Sequence, residues 1–294
     1  MKTNDFDFVD IKRDKARFIP PESGVNRLNN EVYQHFQIRS TEADVNDRVQ
    51  PDVLFSMMQE TAYSHVNLAG LAAQFTDEKN VCWLLNAYTL RLNKVLRWQD
   101  RLTCKTWVRP IDKLFFHREF GLYDHHGDRF GLCTSTWFLA DSDSHAPLRP
   151  NVLGKEDASY AGVNEPVFGV NALRIRKPVL EVTSGMKPQI RRTVAYSDLD
   201  RNGHVNNTRY ILWSVDAVHE YGLAPDQSPS GIDISFIAEA KYGDNVELYV
   251  KPVERAVIDA SNKDFVPVAG KLSFAIEGVN ANGHTMFRCY AHFQ

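Results

Sequence analysis

The chain has 294 residues, 43% of them hydrophobic, enough to bury a substantial core as one large domain or two of ordinary size. Its 34 Lys and Arg against 37 Asp and Glu leave a net charge of −3 (34 − 37), which excludes the overall basic character of nucleic-acid binders and confines any basic patch to a local surface. The four cysteines, Cys82, Cys104, Cys133 and Cys289, lack CxxC or Cys/His spacing, so they are expected as reduced, packed thiols, with no metal and no cofactor assigned.

Residues 1–30 are polar, include Pro20-Pro21 and are expected to form an extension outside the core. The opening "MKTNDFDFVDIKRDK" has no apolar stretch of the secretory kind and carries acids that a transit peptide avoids. No apolar run approaches the roughly 20 residues of a membrane span, so a cytoplasmic protein with no membrane partner is expected. A first unit then spans 31–140. "EVYQHFQIRS" reads as a strand, and "PDVLFSMMQETAYSHVNLAGL" has helical periodicity with Pro51 at its start and Gly70 as a stop. Four strand-like runs follow, "NAYTLRLNKVL", "DRLTCKTWVRP", "LFFHREFGLYD" and "FGLCTSTWFLAD", separated by turn signals such as "DHHGD".

Residues 141–188, punctuated by Pro and Gly, are expected as a linker. The second unit, 189–294, repeats the order. "QIRRTVAYS" is a strand, "VNNTRYILWSVDAVHEYG" a helix ending at Gly222, and "IDISFIAEA", "NVELYVKPV", "GKLSFAIEG" and "TMFRCYAHFQ" are strands. Between the first two lies "DLDRNGHVNN", which opens like a calcium loop with Asp198, Asp200, Asn202 and Gly203. The twelfth place, where such a loop needs a bidentate Glu, is Arg209, and a guanidinium there repels the ion.

The duplication holds at residue level. Asp44, Asn46, Arg48 and Val49 fall beside Asp200, Asn202, His204 and Val205 at an offset of 156 (200 − 44), and three of the four match. Trp98 and Asp100 fall beside Tyr242 and Asp244 at an offset of 144 (242 − 98), which sets Val95 against Glu239. The largest chemical differences between the units are therefore Arg48 against His204 and Val95 against Glu239. A strand, one long helix and an antiparallel sheet wrapped around it describe a hotdog domain. The helix needs the sheet to cover its apolar stripe, to which Ile211, Val215 and Val218 belong. The whole is expected as an α+β double hotdog, two fused units whose pairing joins or protects the open sheet edges.

The residues "FQIRSTEADVNDRVQPDVLFSMMQETAYSHVNLAGL", "DLDRNGHVNNTRYILW" and Glu239 in "SFIAEAKYGD" resemble the acyl-acyl carrier protein thioesterases of bacteria and plant plastids, over most of 33–290. The resemblance implies hydrolysis of fatty acyl thioesters on a carrier, with Asp200, Asn202, His204 and Glu239 as the catalytic set. Glu239 is then the general base, His204 and Asn202 orient water or the carbonyl, and Asp200 fixes the network. Many relatives have Gln where this chain has Gly203, and plant members often have Cys where it has Ala240, so a thiol nucleophile at that position is excluded. Ahead of the second-unit helix, Asn206 is the candidate N-cap, and the free N–H groups behind it suit a thioester oxygen.

The first unit, lacking acid-base groups, is expected to supply the acyl pocket, with Leu54, Phe55, Met57 and Met58 as candidate lining. An acidic carrier with a phosphopantetheine arm calls for a local basic surface, and Arg191, Arg192, Arg174, Arg176 and Lys177 are its candidates. His65, His117 and the pair His125-His126 are read as packing or surface residues. Two other activities fit the same fold: an acyl-CoA thioesterase, and a hydratase or dehydratase. The hydratase segment runs Asp-x-Asn-Pro-x-His, one residue longer than Asp200 to His204, and makes no use of Glu239. A non-catalytic acyl binder has no reason to keep one polar set of two. Further assembly into homo-oligomers is compatible with the sequence but not required by it.

Overall fold

The computed structural model describes residues 25–28, 30–153, 162–163, 166–180, 182, 186–254, 258, 265–266, 268 and 272–294. Most of the expected N-terminal extension lies outside them. Its end is ordered as strand β1 (Val25–Leu28), paired antiparallel with β2 (Glu31–Gln37) across a turn in which Asn30 takes a left-handed φ of 62°.

In the first unit, β2 leads to helix α1 (Pro51–Leu68), then to a short helix α2 (Ala73–Lys79) that the sequence had not disclosed. Strands β3 (Val81–Leu92), β4 (Arg101–Val108), β5 (Phe116–Asp124) and β6 (Arg129–Asp141) follow. The second unit has β7 (Ile190–Thr193), α3 (Asn207–Tyr221), β8 (Pro229–Phe236), β9 (Asn245–Pro252), β10 (Leu272–Asn280) and β11 (Thr285–Phe293). Pro51 opens α1 because its missing N–H is not needed there, and Gly222, at φ 117°, closes α3 in a conformation that other residues resist.

Among the described residues the eleven strands form one antiparallel sheet in the order β1-β2-β4-β5-β6-β3-β8-β11-β10-β9-β7. Apart from β1, the order reads the same from either end once the units are exchanged. The halves meet where β3 pairs β8, with Thr89 opposite Asp233. Those two positions differ by 144 (233 − 89), the offset of the internal repeat, so the pseudo-twofold axis passes between them. Each unit closes the other's open edge, and the expected double hotdog is a continuous sheet with α1 and α3 packed side by side against it.

The helices bury one stripe each. On α1 it is Leu54, Phe55, Met58, Ala62 and His65, and on α3 Tyr210, Ile211, Ser214, Ala217 and Val218, whereas Val215 is only half-buried. They meet the inward residues of the central strands, Tyr88, Leu90, Ile232 and Ile234.

The opposite face of the sheet is also covered. Residues 166–180, expected as an aperiodic linker, cross it transversely and are hydrogen-bonded to β5, β3, β8 and β10 in turn. Glu119 accepts from the Val167 N–H (3.4 Å), Thr89 Oγ1 from Leu173 (2.9 Å), Ser235 Oγ from Ile175 (2.8 Å), and Glu277 from Val179 and Leu180 (3.1 and 3.3 Å). Leu173, Ile175 and Leu180 pack there with Tyr249, Ala275 and Tyr290. A segment with no secondary structure can lie buried only if its backbone finds partners, and the polar residues of the sheet's outer face supply them. At the junction, Asp233 accepts from Thr89 Oγ1 (2.8 Å) and from Arg91 Nη2 (2.8 Å). Burial pushes the Asp233 carboxyl up, but Arg91 and His292 outweigh it and hold the group below its ordinary value.

Candidate active site

The turn "LDRNGHV" is a small, self-contained structure. The Asp200 N–H donates to the His204 carbonyl (2.8 Å), the Gly203 N–H to the Asp200 carbonyl (3.1 Å), and Asp200 Oδ1 accepts from the N–H groups of Asn202 (2.8 Å) and His204 (3.4 Å). Asp200 thus shapes the turn through its side chain. Gly203 sits at φ 77°, as the reversal requires. Val205 then donates to the Ala240 carbonyl (3.0 Å), and His204 forms a bridge with Lys241, which lays the turn against the segment that follows β8. Asn206 caps α3 by accepting from the Thr208 N–H (3.0 Å). The Tyr210 hydroxyl accepts from the Ala240 N–H (3.1 Å) and pins the same segment from the helix.

Glu239 lies just beyond β8, where Ile237 and Ala238 both donate to the Met286 carbonyl and the strand leaves its ladder. The result brings His204 Nε2 to 3.5 Å from Glu239 Oε2, with both side chains partly exposed. A second imidazole, not anticipated from the sequence, stands on the other side: His145 Nδ1 is 3.1 Å from the same Oε2, and its ring meets that of His204 edge-on at 5.6 Å. His145 comes from the turn after β6, the last strand of the first unit, at the start of the segment expected as a linker.

The equivalent turn of the first unit has the same backbone and another task. Asp44 Oδ1 accepts from the N–H groups of Asn46 (2.8 Å) and Arg48 (2.9 Å), Asp47 takes the left-handed place of Gly203 at φ 61°, and Val49 donates to Leu96 (2.9 Å) as Val205 does to Ala240. Arg48, in the place of His204, pairs with Asp44 (2.9 Å) and donates to the carbonyls of Pro225 and Asp226 and to Ser228 Oγ. It clamps the first unit to the connection between α3 and β8. Val95, opposite Glu239, packs against the core.

A cavity of about 440 Å³ opens beside the second-unit turn. Asp200, Asn202 and Asn206 form part of its wall, with Cys82 and Ser142 nearby, and Ala62, Val66, Phe116, Arg118 and Trp137 also line it. His204 and Glu239 are not in the wall: His204 lies between the lining residues Asn202 and Asn206 in the chain, and Glu239 is near enough to the lining Cys82 to raise its pKa. Cys82 is the thiol of the lining; burial, then Glu239 and Asp141, push its pKa up, which leaves it protonated and unsuited as a nucleophile. Arg118 is buried, and its Nη1 lies 3.1 Å from His65 Nδ1 and 3.3 Å from Thr106 Oγ1. A guanidinium only donates, so His65 accepts as a neutral imidazole, consistent with burial and Arg118 lowering its pKa to about 3.

Two groups of expected residues are not gathered at this cavity. Leu54, Phe55, Met57 and Met58 do not line this cavity; they are buried in the main core, with Phe55 edge-on to Tyr88 at 5.0 Å. The cavity takes a neighbouring face of α1 instead, Gln59, Ala62, Tyr63 and Val66, because the more apolar stripe turns to the sheet. The five basic residues do not form one patch. Arg191 pairs with Glu247 (2.7 Å), Arg192 turns to the helix side to pair with Asp216, and Arg174 lies over the Phe115 ring at 4.9 Å. Arg176 and Lys177 are exposed where the transverse segment passes β11, separated from β7 by β10 and β9.

Two hotdog units in one sheet, one keeping a polar turn beside a cavity and the other turning it into a clamp, define an asymmetric double hotdog protein. Family models agree with that division: the acyl-ACP thioesterase N-terminal domain matches residues 29–151, and the acyl-ACP thioesterase C-terminal domain matches 186–285. The chain belongs to the acyl-ACP thioesterase family. It is 28% identical over 224 residues to a chloroplastic palmitoyl-acyl carrier protein thioesterase of Arabidopsis thaliana, covering 71% of this chain and 53% of the relative. To a chloroplastic oleoyl-acyl carrier protein thioesterase of the same plant it is 26% identical over 201 residues, covering 63% and 53%. The chain thus spans about half the length of the curated relatives it matches. Its fold matches an acyl-ACP thioesterase from Bacteroides thetaiotaomicron with a TM-score of 0.72 at 23% identity, over 90% of this chain and 98% of the other. It likewise matches the 12:0-ACP thioesterase from Umbellularia californica with a TM-score of 0.73 at 16% identity, over 92% and 99%.

Proposed function

We propose that this protein hydrolyses the thioester of fatty acyl-acyl carrier protein, releasing free fatty acid and ending chain elongation. The observation that carries the proposal is the placing of Glu239 against His204 (3.5 Å) beside the cavity, while the matching positions of the other unit hold Val95 and Arg48. Glu239 removes a proton from water, and the water oxygen attacks the thioester carbonyl. The tetrahedral oxyanion forms near the amino end of α3, where the helix dipole is positive. The C–S bond then breaks, and the proton passes from Glu239 to the departing thiolate. Asn202 and His204 orient the water and the carbonyl, and Asp200 acts through the turn. The alkyl chain occupies the cavity. Its carrier is an acidic acyl carrier protein, and Arg201 in the cavity wall and Lys241 beside His204 are the cations best placed for the phosphate of its arm. The cytoplasm is the proposed compartment, in keeping with four unpaired cysteines.

The test is thiol release from a chain-length series of acyl-carrier protein thioesters beside the matching acyl-CoA esters. Carrier-bound substrates are expected to give a kcat/KM at least about 10-fold higher, the size of one good charged contact. A preference for CoA would move the protein to the acyl-CoA thioesterases, and absence of thiol from both donors would contradict thioester hydrolysis.

A further inference from the structure

Glu239 has a neighbour that the proposed mechanism leaves unused. His145 is carried by the turn "DSDSHAP" after β6, and this turn is built firmly. Asp141 Oδ1 accepts from the Ser144 N–H (2.8 Å), the Ser144 hydroxyl (2.7 Å) and the Asp143 N–H (3.2 Å), while the His145 N–H donates to the Asp141 carbonyl (2.9 Å). Asp141 N–H in turn donates to the Ala146 carbonyl (3.0 Å), and Ala140 bridges Pro147. Within this frame His145 takes a left-handed φ of 55°, a conformation that His, Asn and Asp adopt more readily than most residues. The imidazole is thereby aimed at Glu239 rather than along the surface.

A carboxylate only accepts hydrogen bonds, so a ring nitrogen that is to hold it must carry a proton. His145 Nδ1 and His204 Nε2 both lie within ion-pair reach of the same oxygen, Oε2, at 3.1 and 3.5 Å. With both imidazoles beside Oε2, Oε1 is left to take the proton of the attacking water. We infer that His145 is a positioning residue of the active site, holding Glu239 through Nδ1–H so that the first unit completes a site otherwise carried by the second. The inference rests on Glu239 being the general base. A purely structural role in the turn would require the backbone of residue 145 but not its ring.

Two substitutions separate these roles. His145→Gly keeps the left-handed backbone and removes the ring. His145→Asn also tolerates that backbone and returns an N–H donor close to the place of Nδ1. With acyl-carrier protein as substrate, His145→Gly is expected to lower kcat about 10- to 100-fold with KM changed by less than about 2-fold, and His145→Asn to stay within about 3-fold of wild type. A wild-type kcat in His145→Gly, with Glu239→Ala inactive, would overturn the inference alone. Full turnover in Glu239→Ala would overturn the base assignment and the inference with it. Proton–nitrogen correlation spectra of histidine-labelled protein give a readout independent of turnover. Free imidazole favours Nε2–H, whereas His145 is expected as Nδ1–H in the wild type and as Nε2–H in Glu239→Ala. An Nε2–H tautomer for His145 in the wild type would overturn the inference.

Discussion

Glu239 and Val95, His204 and Arg48 occupy matching places in two copies of one backbone, and the difference in their chemistry separates a site from a clamp. These four positions were legible in the sequence because the repeat itself supplied the alignment. His145 was not, since it lies 59 residues before His204 (204 − 145) in a turn without periodicity, and only folding brings it to Glu239. Leu54, Phe55, Met57 and Met58 lie in the main core rather than along the cavity for a related reason. Apolar character marks the helix face that is buried deepest, and here that face belongs to the sheet rather than the cavity. At Gly203 the departure from the Gln of many relatives has a physical account. The residue is at φ 77°, and a Cβ there would meet nothing within 4 Å, so the cost of a side chain is one of backbone only. Gly203→Gln is expected to lower stability by about 1 kcal/mol, measured by urea unfolding, and to leave the cavity unobstructed. A loss above about 3 kcal/mol would mean that the turn resists more than its φ.

At the scale of elements, both long helices and ten of the eleven strands were recognisable from periodicity and turn residues, though β3 begins at Val81, five residues before the expected Asn86. Helix α2 and strand β1 are too short for periodicity to stand out. The transverse segment 166–180 escaped for a different reason. Its order comes from Thr89, Ser235 and Glu277 on distant strands, and nothing within its own sequence announces them. Arg48 similarly joins elements far apart in the chain. Arg48→Ala removes donors from the Pro225 and Asp226 carbonyls and is expected to cost about 1 to 3 kcal/mol in urea unfolding, with activity per folded molecule retained. Unchanged stability would show that the clamp contributes nothing, and lost activity without lost stability would tie Arg48 to the chemistry.

For the molecule as a whole, three buried groups with large shifts contribute to how stability follows pH. Burial, and then Arg118 and Arg109, lower His65 from 6.5 to about 3 and His117 from 6.5 to about 4. Below pH 6.5 the unfolded chain therefore takes up two protons that the folded chain refuses, so stability rises with pH across that window. Glu119 acts oppositely. Burial raises it from 4.5 to about 7 against the pull of Arg109, and between those values the folded state holds a proton that the unfolded state lacks. The net of these three groups is one proton (2 − 1) in favour of the unfolded state, and their contribution to stability is expected to fall by about 1.4 kcal/mol for each unit of pH between about 6 and 5. Urea unfolding at a series of pH values checks this, and a flat or rising profile on acidification would contradict the burial of the two histidines.

The double hotdog joins these scales: a sheet shared by two units, a cavity beside one polar turn, and a carboxylate at its edge. In the proposed mechanism Glu239 activates the water that releases the acyl chain. The most direct measurement is turnover of an acyl-carrier protein thioester by wild type and Glu239→Ala, with thermal unfolding of both to confirm that the variant is folded. A loss of about 10²- to 10⁴-fold in kcat is expected, with an unchanged melting temperature. A folded Glu239→Ala variant that releases thiol at the wild-type rate would contradict it.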